Sequence, residues 1–271
     1  MTGKVGIIGG GNMAEAIICG LLNKRVLTPE QIIVNEIIPD RRNHLRKQYG
    51  IDVPHTIGKW VGEVDLVMVA VKPQQVPTVM KSLSHRVSDG QTLVSIAAGM
   101  PVDRMRGDLG RPQQPFIRVM PNTPALVGEG MSVMFASKEV TAAVKAQVTA
   151  LLQGIGKVAE VEYEGLMDAV TAVSGSGPAF VFMMIEALAD AGVREGLSRE
   201  MALLLANQTV LGSAKMVQET GRSPGLLREQ VTSPAGTTAE GIAALEAFGL
   251  RHAIFEAVRA TKNRSIELAK G

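Results

Sequence analysis

The chain has 271 residues, enough for one large domain or two modest ones. Hydrophobic residues make up 46% and charged residues 20%, an ordinary globular balance that argues against disorder as the main state. Lys plus Arg number 28 against 26 Asp plus Glu, too even for a nucleic acid held by a basic surface; one cysteine, Cys19, and four scattered histidines exclude a disulfide framework and a Cys/His zinc cluster.

The opening MTGKVGIIGGGNM has a short apolar run that ends in glycines, so it reads as neither a signal peptide nor an anchor. Strands are predicted at Lys4–Ile8, Ile32–Asn35, Leu66–Val71, Thr92–Ile96, Phe116–Val119 and Met131–Phe135. Helices are predicted between them, at Met13–Asn23, Asp40–Tyr49, Gln74–Leu83 and Val102–Leu109. This alternation predicts an α/β fold, a Rossmann-type and mostly parallel sheet covered on both faces. A long helix at Val140–Ile155 and a short strand at Lys157–Val161 follow. Beyond Gly165 the periodicity is helical only, at Phe180–Ala191, Ser198–Glu219, Pro224–Val231, Thr238–Phe248 and Arg251–Leu268. Residues 1–163 are therefore expected to form a dinucleotide-binding domain, and 164–271 an all-helical domain. The stretch Val173–Leu188 is too broken by Gly, Pro and Glu to predict a membrane span, which needs roughly 18 apolar residues. A cytoplasmic protein is expected. With aromatics at 3%, its 14 methionines are expected to fill the core.

Gly9-Gly10-Gly11-Asn12-Met13-Ala14 gives G-x-G-x-x-A directly after a strand and at the start of a helix. Gly9 permits the tight turn, Gly11 lets backbone approach a pyrophosphate, and Ala14 lets the helix pack close. The helix N-terminus offers N–H groups to the phosphates. Glu36 follows Ala14 by 22 positions, where an acid accepts the adenosine ribose hydroxyls. A carboxylate there favours NAD over NADP. Arg41 and Arg42 could reach a 2′-phosphate, but as the first turn of a helix they read as solvated. Lys72 lies at the carboxyl end of a strand, beside the expected crevice, and Pro73 holds it extended.

Two small-residue segments, Ser174–Ala179 and Thr232–Thr238, read as loops feeding helix N-termini, which bind anions through backbone N–H groups. Beside a dinucleotide fold they suggest a small anionic substrate. Neither carries a His, Asp, Glu or Lys for strong acid–base work, which suits an imine that needs only a hydride.

Phe116–Pro124, the Ser174–Ala179 segment, Ala214-Lys215-Met216 and Val231–Thr238 together resemble the pyrroline-5-carboxylate reductase family, and the likeness runs from Lys4 to about Leu268. The resemblance implies reduction of 1-pyrroline-5-carboxylate by NADPH or NADH to L-proline, the last step of proline biosynthesis. It implies that Gly9, Gly11, Asn12 and Met13 hold the pyrophosphate, next to Asn35 and Glu36 at the second strand's end. Ala70, Lys72 and Pro73 would border the nicotinamide half, with Asn122 and Thr123 nearby. Ser176, Ser233, Gly236, Thr237 and Thr238 would bind the substrate, with the Thr238 hydroxyl on the ring nitrogen as the catalytic donor. It further implies a dimer interleaved through the helical domain, or a ring of dimers, with the substrate site completed by a second chain. Two positions depart from the family pattern. Asn35-Glu36-Ile37 stands where many members carry Ser-Asn-Arg, and Ile57 where many carry Asn. Both lean the cofactor towards NADH. Two other readings remain open, a β-hydroxyacid dehydrogenase-like oxidoreductase and a non-catalytic nucleotide-sensing paralogue. The first expects a lysine on the helix after the substrate loop, and Pro178–Glu186 has none.

Overall fold

Each residue of β1, Val5–Ile8, is buried, and its side chains alternate between two apolar layers. Val5 and Ile7 enter one layer and Ile8 the other, the period of two that a strand imposes. The remaining strands are β2 (Ile32–Asn35), β3 (Leu66–Val69), β4 (Thr92–Ser95), β5 (Phe116–Met120), β6 (Gly130–Ala136) and β7 (Gly156–Glu160). The computed structural model describes residues 3–270; Met1, Thr2 and Gly271, the ends of the two expected domains, lie outside them.

One seven-stranded sheet runs in the order β2-β1-β3-β4-β5-β6-β7. Its pairs are parallel except for β5 with β6, which are antiparallel. The layer built on Ile7, Leu66 and Met68 is covered by α1 (Asn12–Asn23), α2 (Pro39–Tyr49) and α5 (Ala142–Gln153). The layer built on Ile8, Val67 and Val69 is covered by α3 (Val76–Leu83) and α4 (Val102–Leu109). Burial on both faces is why β1 and β3 carry no polar side chain, while β4 buries Thr92 and Ser95 at its two ends. The sheet's order reverses at β1, so the carboxyl ends of β1 and β3 flank a topological switch point.

The remaining helices are α6 (Met167–Val170), α7 (Gly177–Arg194), α8 (Arg199–Thr220), α9 (Pro224–Gln230), α10 (Thr237–Ala247) and α11 (Leu250–Lys270). The chain divides into two compact units after Ser176 and again after Ala260, so residues 177–260 form the second unit. Met167 and Ala172 are buried in the first unit. The end of α11 belongs there too: Ser265 donates to Asp168 at 2.6 Å, and Arg104 donates to the Ala269 carbonyl at 3.1 Å.

The expected loop at Ser174–Ala179 is corrected. Thr171–Gly175 forms a π-helical turn, and α7 begins at Gly177 rather than at Phe180. The hydroxyls of Thr171 and Ser174 donate back to the Met167 and Val170 carbonyls, which satisfies the widened turn from within. Pro178 sits in the first turn of α7, where no N–H partner is needed. The expected break in Val173–Leu188 is corrected for the same reason. The helical run Glu164–Arg194 is, by length and composition, long and apolar enough to cross a membrane.

In the second unit, α7 and α8 meet through Ala189, Ala202 and Ala206, with Ile185 and Val193 at the edge. That core is small, and much of the apolar surface stays outside it. Met183 is 69% exposed, Leu204 61% and Phe248 91%. The expectation that methionines fill the core therefore fails here: Met68, Met80 and Met105 are buried, but Met183, Met201 and Met216 are not. Exposed apolar area on this scale marks an interface between chains. We expect an obligate oligomer, with more than about 2,000 Å² buried between chains. Sedimentation at low micromolar concentration checks this, and a stable folded monomer refutes it.

Candidate cofactor and substrate sites

Gly9 follows β1 at φ +97°, and a Cβ there would stand 2.7 Å from the Ala70 carbonyl oxygen. Only glycine lets the chain turn this close to the end of β3. The turn is pinned by the Gly9 N–H on the Asn35 carbonyl at 2.8 Å and the Ala70 N–H on the Ile8 carbonyl at 2.8 Å. Gly11 differs: a Cβ built there meets nothing within 4 Å. It is the N-cap of α1, with no side-chain cap. Open space thus stands before uncapped helix N–H groups, the arrangement a pyrophosphate needs. Asn12 begins α1 on the exposed side, Met13 packs against the core, and Ala14 is fully buried. These residues fit a dinucleotide.

Asn35 and Glu36 are both buried at the end of β2. The Asn35 amide donates to the Pro54 carbonyl at 3.2 Å. The Glu36 carboxylate accepts the Gly10 N–H at 2.9 Å and the Ile38 N–H at 2.8 Å. Its charge therefore sits against the middle glycine of the turn. Ile37 is 68% exposed and supplies no cation. Ile57 packs against the second apolar layer with Trp60 and Val71.

The reading of Arg41 and Arg42 as a solvated first turn is corrected: both are half-buried and bonded. Arg41 donates through Nε to the Gly10 carbonyl at 2.6 Å and pairs with Glu15 of α1. Arg42 donates to the Ile37 carbonyl at 2.7 Å and the Glu36 carbonyl at 3.3 Å. Arg42 folds back onto the short turn between β2 and α2, whereas Arg41 reaches across to the turn between β1 and α1. Glu15, which no motif in the sequence marks, also accepts from Tyr49 at 2.9 Å and contacts His44 Nε2 at 2.7 Å. Its spacing within α1 was visible, but not its partners 26 to 34 positions away.

Lys72 is extended at φ −60°, ψ 147° and exposed, as Pro73 demands, and Pro73 opens a short 3-10 turn. Asn122 accepts the Met131 N–H at 2.8 Å and donates to the Ser174 carbonyl at 3.0 Å. It therefore ties the end of β5 to the π-turn. Thr123 beside it is exposed. Ser176 ends the first unit, its N–H on the Thr171 carbonyl at 2.9 Å.

Ser233, Gly236, Thr237 and Thr238 lie in the second unit, at the head of α10. Gly236 is the N-cap, and no side chain caps the helix. The Thr237 and Thr238 N–H groups thus head a helix without a side-chain cap. Thr238 is the second residue of the helix and does not cap it. Lys215, by contrast, forms an exposed i,i+4 pair with Glu219 at 3.6 Å.

A doubly wound sheet with a glycine turn at its switch point defines a Rossmann-type dinucleotide-binding protein. Comparison with known proteins narrows that class. Residues 4–99 match the family model described as NADP oxidoreductase coenzyme F420-dependent, and 164–268 match that described as pyrroline-5-carboxylate reductase dimerisation. Pyrroline-5-carboxylate reductase from Synechocystis is 46% identical over 270 residues, covering 100% of both chains. That from Escherichia coli is 41% identical, also over 100% of both. Among solved structures, a pyrroline-5-carboxylate reductase from Coxiella burnetii has a TM-score of 0.94 at 35% identity and full coverage of both chains. A pyrroline carboxylate reductase from Plasmodium falciparum with NADP bound has 0.88 at 30% identity, covering 99% of this chain and 98% of that one. The chain belongs to the pyrroline-5-carboxylate reductase family.

Proposed function

We propose that this protein reduces the C=N bond of 1-pyrroline-5-carboxylate with NAD(P)H, giving L-proline. The observation that carries the reading is the open space at Gly11 before an uncapped α1, in a chain of this family. When bound, the reduced nicotinamide supplies the hydride. The chain's own part is to place and polarise the acceptor. The N–H groups at the head of α10 hold the substrate carboxylate, with Ser233 and Gly236 shaping the turn and Ser176 assigned to substrate by the resemblance. Thr238 donates a hydrogen bond to the ring nitrogen, which draws electron density from the carbon that accepts hydride. Lys72, Pro73, Asn122 and Thr123 border the nicotinamide half. Steady-state oxidation of NADH and NADPH with pyrroline-5-carboxylate is the test, run beside 3-hydroxyisobutyrate with NAD. Turnover with the hydroxyacid alone would replace this reading with the dehydrogenase one. No turnover with either would favour a nucleotide sensor.

The enzyme is read as a cytoplasmic one, its exposed helical faces paired in a dimer or a ring of dimers. It is expected to use NADH at least as well as NADPH. The Glu36 carboxylate against Gly10 accepts the ribose hydroxyls of NADH but faces the 2′-phosphate of NADPH. A like-charge contact at about 4 Å costs roughly 1–4 kcal/mol over plausible dielectrics. Comparing kcat/KM for both cofactors, in wild type and in Glu36→Ser with Ile37→Arg, checks this. A strong wild-type preference for NADPH would overturn the role given to Glu36.

A further inference from the structure

Gly10 is gripped from both of its backbone ends by opposite charges. Its N–H donates to Glu36, and its carbonyl accepts from Arg41 Nε. The Arg41 guanidinium therefore stands beside the same glycine as Glu36, the acid assigned above to the ribose. It does not stand there as an uncompensated cation. Its Nη2 pairs with Glu15 Oε2, and the two side chains are only 24% and 19% exposed. Glu15 is itself held in place: its other oxygen accepts from Tyr49 and contacts His44 Nε2.

Burial works against the Glu15 charge, but hydrogen bonds from His44, Arg41 and Tyr49 outweigh it and hold the carboxyl below the ordinary glutamate range. Burial, and then Glu15, push the Tyr49 hydroxyl up to about 12, so it remains a donor to the carboxylate. The Glu15 carboxylate is thus engaged through both oxygens, while Arg41 is engaged through Nε and Nη2.

We propose that Glu15 is a positioning residue for cofactor choice: by clamping and neutralising Arg41 it denies the 2′-phosphate of NADPH the one guanidinium that reaches the Gly10 turn. Arg42 donates instead to the Glu36 and Ile37 carbonyls through Nη1, after β2 rather than at the Gly10 turn. The inference rests on the Rossmann-type cofactor site and on the ribose position assigned above.

The test compares the NADPH to NADH ratio of kcat/KM in wild type, Glu15→Gln, Arg41→Ser and the double variant. Glutamine keeps the shape of Glu15 and one acceptor oxygen for Tyr49 and His44, but it removes the charge and turns an amide NH2, which cannot accept, towards Arg41. Glu15→Gln is expected to raise the ratio by about fivefold or more, the size of one released charge at short range. The gain should lie in the KM for NADPH, with kcat little changed, which a merely structural role would not produce. In the double variant the gain should vanish. A folded Glu15→Gln enzyme with an unchanged ratio overturns the proposal, as does a rise that survives Arg41→Ser. Arg41→Ser alone decides the matter even if Glu15→Gln fails to fold. A clamped arginine contributes little, so its removal should move the ratio by less than about threefold, whereas a tenfold loss of NADPH use would mean that Arg41 already holds the phosphate. A wild type that prefers NADPH, with the Glu15→Gln rise intact, overturns the Glu36 reading and supports the clamp.

Discussion

Gly11→Val is expected to abolish measurable cofactor binding while leaving the fold intact. Two observations separate these effects. Gly11 has φ −70° and ψ −178°, extended backbone that any residue adopts, and β-branched residues favour. A Cβ there meets no protein atom within 4 Å, so the cost to the free protein is confined to a poorer N-cap, about 1 kcal/mol. The same open space is where a pyrophosphate must approach the head of α1, and two methyl groups would fill it. The α1 N–H groups then lose their ligand. A loss of at least about a hundredfold in affinity, some 2.7 kcal/mol, follows. Titration calorimetry or quenching of NADH fluorescence measures it, with far-ultraviolet circular dichroism to verify the fold. Gly9→Val is the instructive contrast. Its φ of +97° and the Ala70 carbonyl 2.7 Å from a Cβ make that variant a folding defect as well as a binding one. Wild-type affinity in a folded Gly11→Val protein would remove the pyrophosphate from this turn.

The strands were legible because their signal is local. A run such as Leu66–Val69 is apolar at each position only when both faces are covered, and the glycine turn after β1 announces itself by spacing. Pro73 dictated the extended Lys72, and the predicted helix from Ser198 is α8, begun by the Ser198 side-chain cap and ended by Gly221 at φ +64°. What stayed hidden depends on partners distant in sequence. Ser174-Gly175-Ser176-Gly177-Pro178 has the composition of a loop, yet it continues a helical run as a π-turn leading into α7, with the Ser174 hydroxyl folded back on the Val170 carbonyl. Arg41 looked like a solvated residue of a first turn, because its partner, Glu15, lies in another helix. The exposed methionines of the second unit share their helical spacing with core residues, and periodicity cannot tell a core from an interface. The chemistry of the candidate site was legible as residue types, but the commitment of Glu36 to two backbone N–H groups was not.

Thr238→Ala should lower kcat by about 10–1,000-fold, the usual cost of removing one donor aimed at charge that develops in the transition state. The effect should fall on turnover rather than on cofactor affinity, since Thr238 lies at the head of α10, in a different unit from the Gly11 turn. The competing role, a helix cap, makes the opposite forecast. A cap residue replaced by alanine loses roughly 1 kcal/mol of stability and little activity. Here Gly236 occupies the cap position, no side chain caps the helix, and Thr238 is already inside the first turn. Alanine is the better helix former at that position, by a few tenths of a kcal/mol, so the melting temperature should hold or rise slightly. Thr238→Ser retains the hydroxyl and should recover most of the rate, which a loss of packing by the methyl group would not allow. Single-turnover reduction of pyrroline-5-carboxylate separates the hydride step from product release, and the deficit should appear in that step. Unchanged turnover together with a lowered melting temperature would return Thr238 to a structural role and leave the ring nitrogen without its donor.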